Sequence, residues 1–145
     1  MSEQAAAQKT LHVEVERRDS SKAEMISPQW AVPFATTSKK PVGAPTPTLM
    51  LLGALATCMV AGIEREAHAQ GLQIDDVKVV DEGVRMPPPQ PVMENITVHI
   101  TLASPEKKER LLPILEALET NGTVTNTLKQ GSDIAITYEI VASQD

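Results

Sequence analysis

The chain has 145 residues and a mass of 15.6 kDa, one domain's worth of sequence that can bury roughly two-thirds of its unfolded surface without a disulfide or metal staple. An apolar fraction of 41% and a charged fraction of 22% exclude disorder throughout. Aromatics are 2% and the net charge is −6, which argues against a base-stacking platform and against a basic nucleic-acid footprint.

Charges of both signs are interspersed, with no like-charge run longer than two, so a polybasic membrane patch is not expected. Residues 1–10 are polar and alanine-rich without an apolar core, unlike a secretory signal. A cytoplasmic, reducing compartment is the expectation. The single cysteine, Cys58, excludes an intramolecular disulfide, and a thiolate zinc site would need several chains. No cofactor or metal is expected.

Residues 1–9 read as a disordered start, followed by one domain over residues 10–145. Leu11, Val13 and Val15 alternate with His12, Glu14 and Glu16, the pattern of a strand with one buried face. Residues 17–21 look like a turn, and 22–26 a return strand. Residues 28–48 hold Pro28, Pro33, Pro41, Gly43, Pro45 and Pro47, loop chemistry with one short strand near Trp30 to Phe34.

Residues 49–63, LMLLGALATCMVAGI, are the most apolar stretch. They are shorter than the roughly 20 residues of a membrane span and run into Glu64, Arg65, Glu66 and His68. One helix is expected from Pro47 to Gln70, stopped by Gly71. A helix apolar nearly all round must be buried on all sides. One short chain has few elements to cover it, so a homodimer with this helix at its centre is expected. Gly53, Thr57 and Ala61 form one small-residue stripe, and Ala54, Cys58 and Gly62 another. Stripes of this kind let a second backbone approach closely.

A strand is expected over 74–85, then an extended proline-rich loop over 86–91, which cannot join a central ladder. Ile96, Val98, Ile100 and Leu102 alternate as a second strand. Ser104-Pro105-Glu106 has the form of a helix start: a capping hydroxyl, a proline, then an acid. Pro113 should kink or divide that helix, and Asn121-Gly122 should end it. Residues 123–130 read as a short helix or loop, and Ile134, Ile136, Tyr138 and Ile140 as a closing strand. Strands in neighbouring pairs argue for an α+β antiparallel architecture over a doubly wound parallel sheet.

At this point the sequence resembles a known family. Gly43-Ala44-Pro45-Thr46-Pro47, followed by the helix from Leu49 to Cys58, is similar to the proline-led helix of the OsmC/Ohr family, the osmotically induced and organic hydroperoxide resistance proteins. Gly71-Leu72, the strand after it, and Ser104-Pro105-Glu106 leading to Val124-Thr125-Asn126-Thr127-Leu128 fit the same pattern. The resemblance covers about residues 40–142. It implies an α+β fold in an intertwined homodimer, with antiparallel sheets around two central helices. It also implies reduction of organic hydroperoxides by a cysteine, a second cysteine that resolves the sulfenic acid, and an arginine and a glutamate near the first. Cys58 matches the attacking cysteine. The second cysteine would fall at Gly122 and the glutamate at Thr48 or Leu49, and this sequence has neither. The arginine belongs to the N-terminal half, where Arg17 and Arg18 are the candidates.

Peroxide attack requires a thiolate. Cys58 lies about three turns into its helix, beyond the reach of the helix dipole, so its activation calls for a cation from elsewhere. Arg65, seven residues on, is about 10 Å along the axis. Arg17 or Arg18, delivered by the other subunit, is expected to supply that cation. With no resolving cysteine, an external thiol would recycle Cys58 through a mixed disulfide.

Two functions follow. One is a stress-response, one-cysteine thiol peroxidase acting on organic hydroperoxides. The other is a non-catalytic dimer whose interface cleft, lined by Leu51, Leu55 and Met59, binds a small apolar ligand. Neither involves nucleic acid or membrane. Glu64 and His68 have a spacing that could hold a metal but read as a solvated helix end. His12 and His99 read as surface residues.

Overall fold

The computed structural model describes residues 8–40 and 42–131. The expected closing strand, with Tyr138, and the first seven residues lie outside them. The chain divides into two compact units, the first ending at Leu51 and the second beginning at Leu52. The architecture is α+β, with both sheets antiparallel.

The first unit is a three-stranded meander of β1 (Glu14–Arg17), β2 (Lys22–Ile26) and β3 (Ala31–Ala35). Its tight turn is built by Asp19, whose Oδ1 accepts from the Ser21 amide at 2.7 Å and the Ser21 hydroxyl at 2.8 Å. Those bonds hold the Asp19 carboxyl below the usual carboxylate range. The expectation of a buried face on the first strand fails here. Leu11 is 77% exposed, and Val13 and Val15 are exposed with it. β1 is the edge of its sheet, and no other strand of that sheet among the described residues covers its apolar row. The strand also starts later than its alternation implies, at Glu14 rather than Leu11.

The long helix α1 spans Pro47–Gln70, as its apolar run and flanking glycine predict. Gly71 adopts a φ of +66°, a left-handed conformation that glycine takes at little steric cost. By length and composition α1 could cross a membrane. A buried core helix passes the same test, and α1 carries the core of the second unit. Leu55, Met59, Ile63 and Ala67 pack from it against Ile114 and Leu118. Its opposite side is uncovered: Leu49, Gly53, Thr57 and Ala61 are exposed.

β4 (Asp76–Arg85) and β5 (Met93–Ala103) form a long hairpin, with Asp76 opposite Ala103 and Arg85 opposite Met93. Ile96, Val98, Ile100 and Leu102 point inward onto the core, as their alternation predicts. The proline-rich segment between the strands closes the hairpin as a turn rather than an extended loop, and the Met86 amide bonds the Val92 carbonyl at 2.8 Å.

α2 covers Lys108–Asn121 and α3 covers Thr123–Gln130. The helix begins at Lys108, not at Ser104. The Ser104 hydroxyl instead donates to the Gln73 carbonyl at 2.6 Å and accepts from the Glu106 amide at 3.0 Å, so it clamps the loop before the helix. Pro113 neither divides nor ends α2. It deletes one helical bond, to Glu109, while Ile114 and Leu118 on the same helix are buried in the core and hold it in place.

Candidate functional site

Cys58 sits halfway along α1, half-buried, with a free thiol. α2 and α3 meet at Gly122, which is extended at φ −85° and ψ 126°. Any residue adopts that backbone, so what a side chain at 122 would contest is space rather than conformation. A Cβ at 122 would stand 3.3 Å from Cys58 Sγ and 2.9 Å from Thr125 Oγ1. The position where the family pattern puts its second cysteine therefore lies directly against the thiol.

The α2–α3 joint is held rigidly. Asn126 Nδ2 donates to the Thr120 carbonyl at 2.9 Å, the Asn126 amide to the Gly122 carbonyl at 2.9 Å, and Lys129 Nζ to the Glu119 carbonyl at 3.1 Å. The bonds to Thr120 and Glu119 cross from α3 to α2, and the Asn126 amide bond opens α3 on the Gly122 carbonyl, so the backbone at the joint is tied on both sides.

Beside this joint lies an open apolar cleft of about 490 Å³, lined by Leu55, Met59, Ile96, Val98, Thr125 and Leu128, with Glu119 and Lys129 among its polar groups. Of Leu51, Leu55 and Met59, expected to line a cleft between subunits, Leu55 and Met59 line this cleft within the single chain. The third, Leu51, is 42% exposed, whereas the walls from β5 and α3 face Leu55 and Met59. Thr125 escapes sequence reading because nothing in its spacing marks it. The signal was present in the match of Val124 to Leu128 to the family pattern, but a threonine in a short helix reads as a surface residue.

The arginines are placed on the first sheet. Arg17 ends β1 and is exposed. Arg18 bonds Glu16 at 2.9 Å and Glu24 at 3.0 Å. Glu24 and Glu16 together hold its guanidinium above its already high ordinary value. Arg65 folds back along α1, with Nη2 3.8 Å from where a Cβ on Gly62 would stand, and pairs with Glu66 at 3.7 Å. The first turn of α1 carries no acid. Glu64 and His68 are exposed, as are His12 and His99.

The geometry fits the comparisons. A family model described as OsmC-like protein matches residues 36–137. The chain belongs to the OsmC-like family. The fold is similar to an OsmC-like protein of Mycoplasma pneumoniae, with a TM-score of 0.75 at 22% identity, covering 86% of this chain and 90% of that one. It is also similar to an organic hydroperoxide resistance protein OsmC of Legionella pneumophila, at TM-score 0.63 and 12% identity over 84% and 92% of the two chains. The organic hydroperoxide resistance protein OhrB of Bacillus subtilis follows, at TM-score 0.58 and 13% identity over 83% and 93%. No curated protein sequence matches.

Proposed function

We propose that this OsmC-like chain is a one-cysteine thiol peroxidase that reduces organic hydroperoxides, with Cys58 as nucleophile. The observation that carries the reading is the meeting of Cys58 Sγ with Gly122 beside an apolar cleft. Fold neighbours named for organic hydroperoxide resistance support the substrate class.

The Cys58 thiolate attacks the terminal oxygen of the hydroperoxide. The S–O bond forms as the O–O bond breaks, and the alkoxide leaves and takes a proton to become the alcohol. Sulfur is oxidised by two electrons and the peroxide is reduced by two. An external thiol then attacks the sulfenic acid sulfur, expelling water and leaving a mixed disulfide. A second thiol attacks that disulfide, regenerating Cys58 and releasing the thiol's own disulfide. Gly122 suits this scheme because it leaves the sulfur without an internal thiol partner.

The thiolate requires a cation. Arg18 is occupied by two carboxylates, which favours Arg17 of the partner subunit in a homodimer. The dimer has a physical motive in the exposed stripe of α1, where Gly53, Thr57 and Ala61 form a track of small residues. A thiol-rich cytoplasm would supply the reductant.

The test is peroxide consumption with a dithiol reductant in excess. Wild type should consume an organic hydroperoxide, and Cys58→Ser should fall to the uncatalysed rate. Equal consumption by both would sink the reading. One observation favours a second function: the cleft is open, apolar and large enough for a small ligand. A non-catalytic binding protein would show an apolar molecule bound in native mass spectrometry and no loss in Cys58→Ser.

A further inference from the structure

Among the described residues, two side chains hold buried oxygens without a hydrogen-bond partner, Asp81 and Thr125. Asp81 lies on the inner face of β4, one strand from the cleft. Thr125 is 5% exposed, lines the cleft, and directs its hydroxyl at Gly122, where the sulfur of Cys58 also arrives.

A threonine in a helix ordinarily satisfies its hydroxyl on a carbonyl one turn back. Thr127, two residues on in the same helix, does this, donating to the Thr123 carbonyl at 2.8 Å. Thr125 does not. Its Oγ1 is 2.9 Å from the point where a Cβ at 122 would stand, and Cys58 Sγ is 3.3 Å from that same point. The hydroxyl and the sulfur thus share one small space, and no hydrogen bond joins them. An unpaired buried hydroxyl is destabilising, so its retention here calls for a partner that arrives during function.

We propose that Thr125 donates a hydrogen bond to the oxygen that Cys58 acquires from the peroxide, and that this bond preserves the sulfenic acid until an external thiol arrives. The inference rests on the reading of Cys58 as the peroxide-attacking thiol. An oxygen bonded to Sγ lies one bond length beyond the sulfur, and when it turns into the space at Gly122 it meets the Thr125 hydroxyl that borders the same space. The bond is charge-assisted when the sulfenate is ionised, and bonds of that kind are short and strong. It also draws negative charge onto the oxygen and so lowers the nucleophilicity of the sulfur lone pair that a second oxidation would use. That second step transfers another peroxide oxygen to the sulfenate sulfur, giving the sulfinic acid and a second alcohol. It is irreversible without dedicated rescue. A protein without an internal resolving cysteine has the greatest need to delay it.

The experiment follows oxygen uptake at Cys58 by intact mass in wild type, Thr125→Val, Thr125→Ser and Cys58→Ser. Excess hydrogen peroxide is used without reductant, so that the mono-oxygen adduct forms whether or not the thiol is activated. The expected result is conversion of the mono-oxygen to the di-oxygen adduct about tenfold faster in Thr125→Val, the loss of one charge-assisted bond. Thr125→Ser, which keeps the hydroxyl, should behave as wild type. Thr125→Val should melt at or above the wild-type temperature, because a methyl replaces an unpaired hydroxyl.

Equal conversion rates in wild type and Thr125→Val would overturn the proposal. So would a lower melting temperature in Thr125→Val, since it would mean the hydroxyl is already partnered. Failure of the peroxidase reading shows separately, as wild-type Cys58 gaining its first oxygen from an organic hydroperoxide no faster than a free thiol. The conversion rate of the adduct still decides the role of Thr125 in that event.

Discussion

Two regions of this molecule carry the same sequence signal and use it differently. On β5, the alternating apolar residues Ile96, Val98, Ile100 and Leu102 all pack on the core. On and before β1, Leu11, Val13 and Val15 alternate just as cleanly and are all exposed. Periodicity identifies which face of a strand is apolar. Whether that face is buried depends on what lies over it, and for β5 the cover is α1 and α2. The exposed row of the first sheet and the exposed stripe of α1 are the two surfaces that a dimer would have to explain.

The largest effect that separates the regions is core truncation. Ile63 and Ile114 are 0% exposed, so Ile63→Ala should cost about 3 kcal/mol in chemical denaturation. Val15→Ala should stay within about 0.5 kcal/mol of wild type if its row is open to water. A Val15→Ala cost approaching that of Ile63→Ala, together with a particle heavier than 15.6 kDa by light scattering, would mean that a second chain covers the first sheet.

The next effect lies within α1. A Cβ on Gly62 would meet Leu118 Cδ2 at 2.6 Å, whereas one on Gly53 meets nothing within 4 Å. Leu118 is itself buried and has little room to give. Gly62→Ala should therefore destabilise by about 2 kcal/mol. Gly53→Ala should gain up to about 1 kcal/mol from helix propensity if its stripe is free. A loss in Gly53→Ala would place another backbone on the stripe.

The smallest effect is pH-dependent. Both oxygens of Asp81 are inaccessible and without a partner, and burial raises its carboxyl above the usual carboxylate range. The folded state therefore favours the protonated acid. That contribution is present at low pH and is lost as pH rises through the raised value. Asp81→Asn should be more stable than wild type at neutral pH, by on the order of 1 kcal/mol, with the gap closing in acid. Melting temperatures across the pH range check this. A gap that widens toward acid would mean that Asp81 is held as a carboxylate.

Much of the fold was legible because local rules and tertiary packing agreed. The bounds of α1 follow from Pro47 and Gly71, and the α2–α3 joint from Asn121-Gly122. Where they disagreed, packing decided. Ser104 has capping chemistry, but its hydroxyl is taken by Gln73. Pro113 should break a helix, but Ile114 and Leu118 are anchored around it. At the site, Cys58 was legible from its place in the helix motif. Thr125 was not, because its meaning depends on a distance between two helices far apart in sequence. No pattern of residue types encodes that distance.

The reactivity of Cys58 decides whether it is a peroxide-attacking thiol or only a small residue of the helix. It is tested most directly by intact mass after brief exposure to equal concentrations of an organic hydroperoxide and hydrogen peroxide. A reactive Cys58 should gain one oxygen rapidly in wild type, faster with the organic peroxide, and Cys58→Ser should gain none. Uptake at the rate of a free thiol, indifferent to the peroxide, would contradict that reactivity and leave the apolar cleft as the functional site.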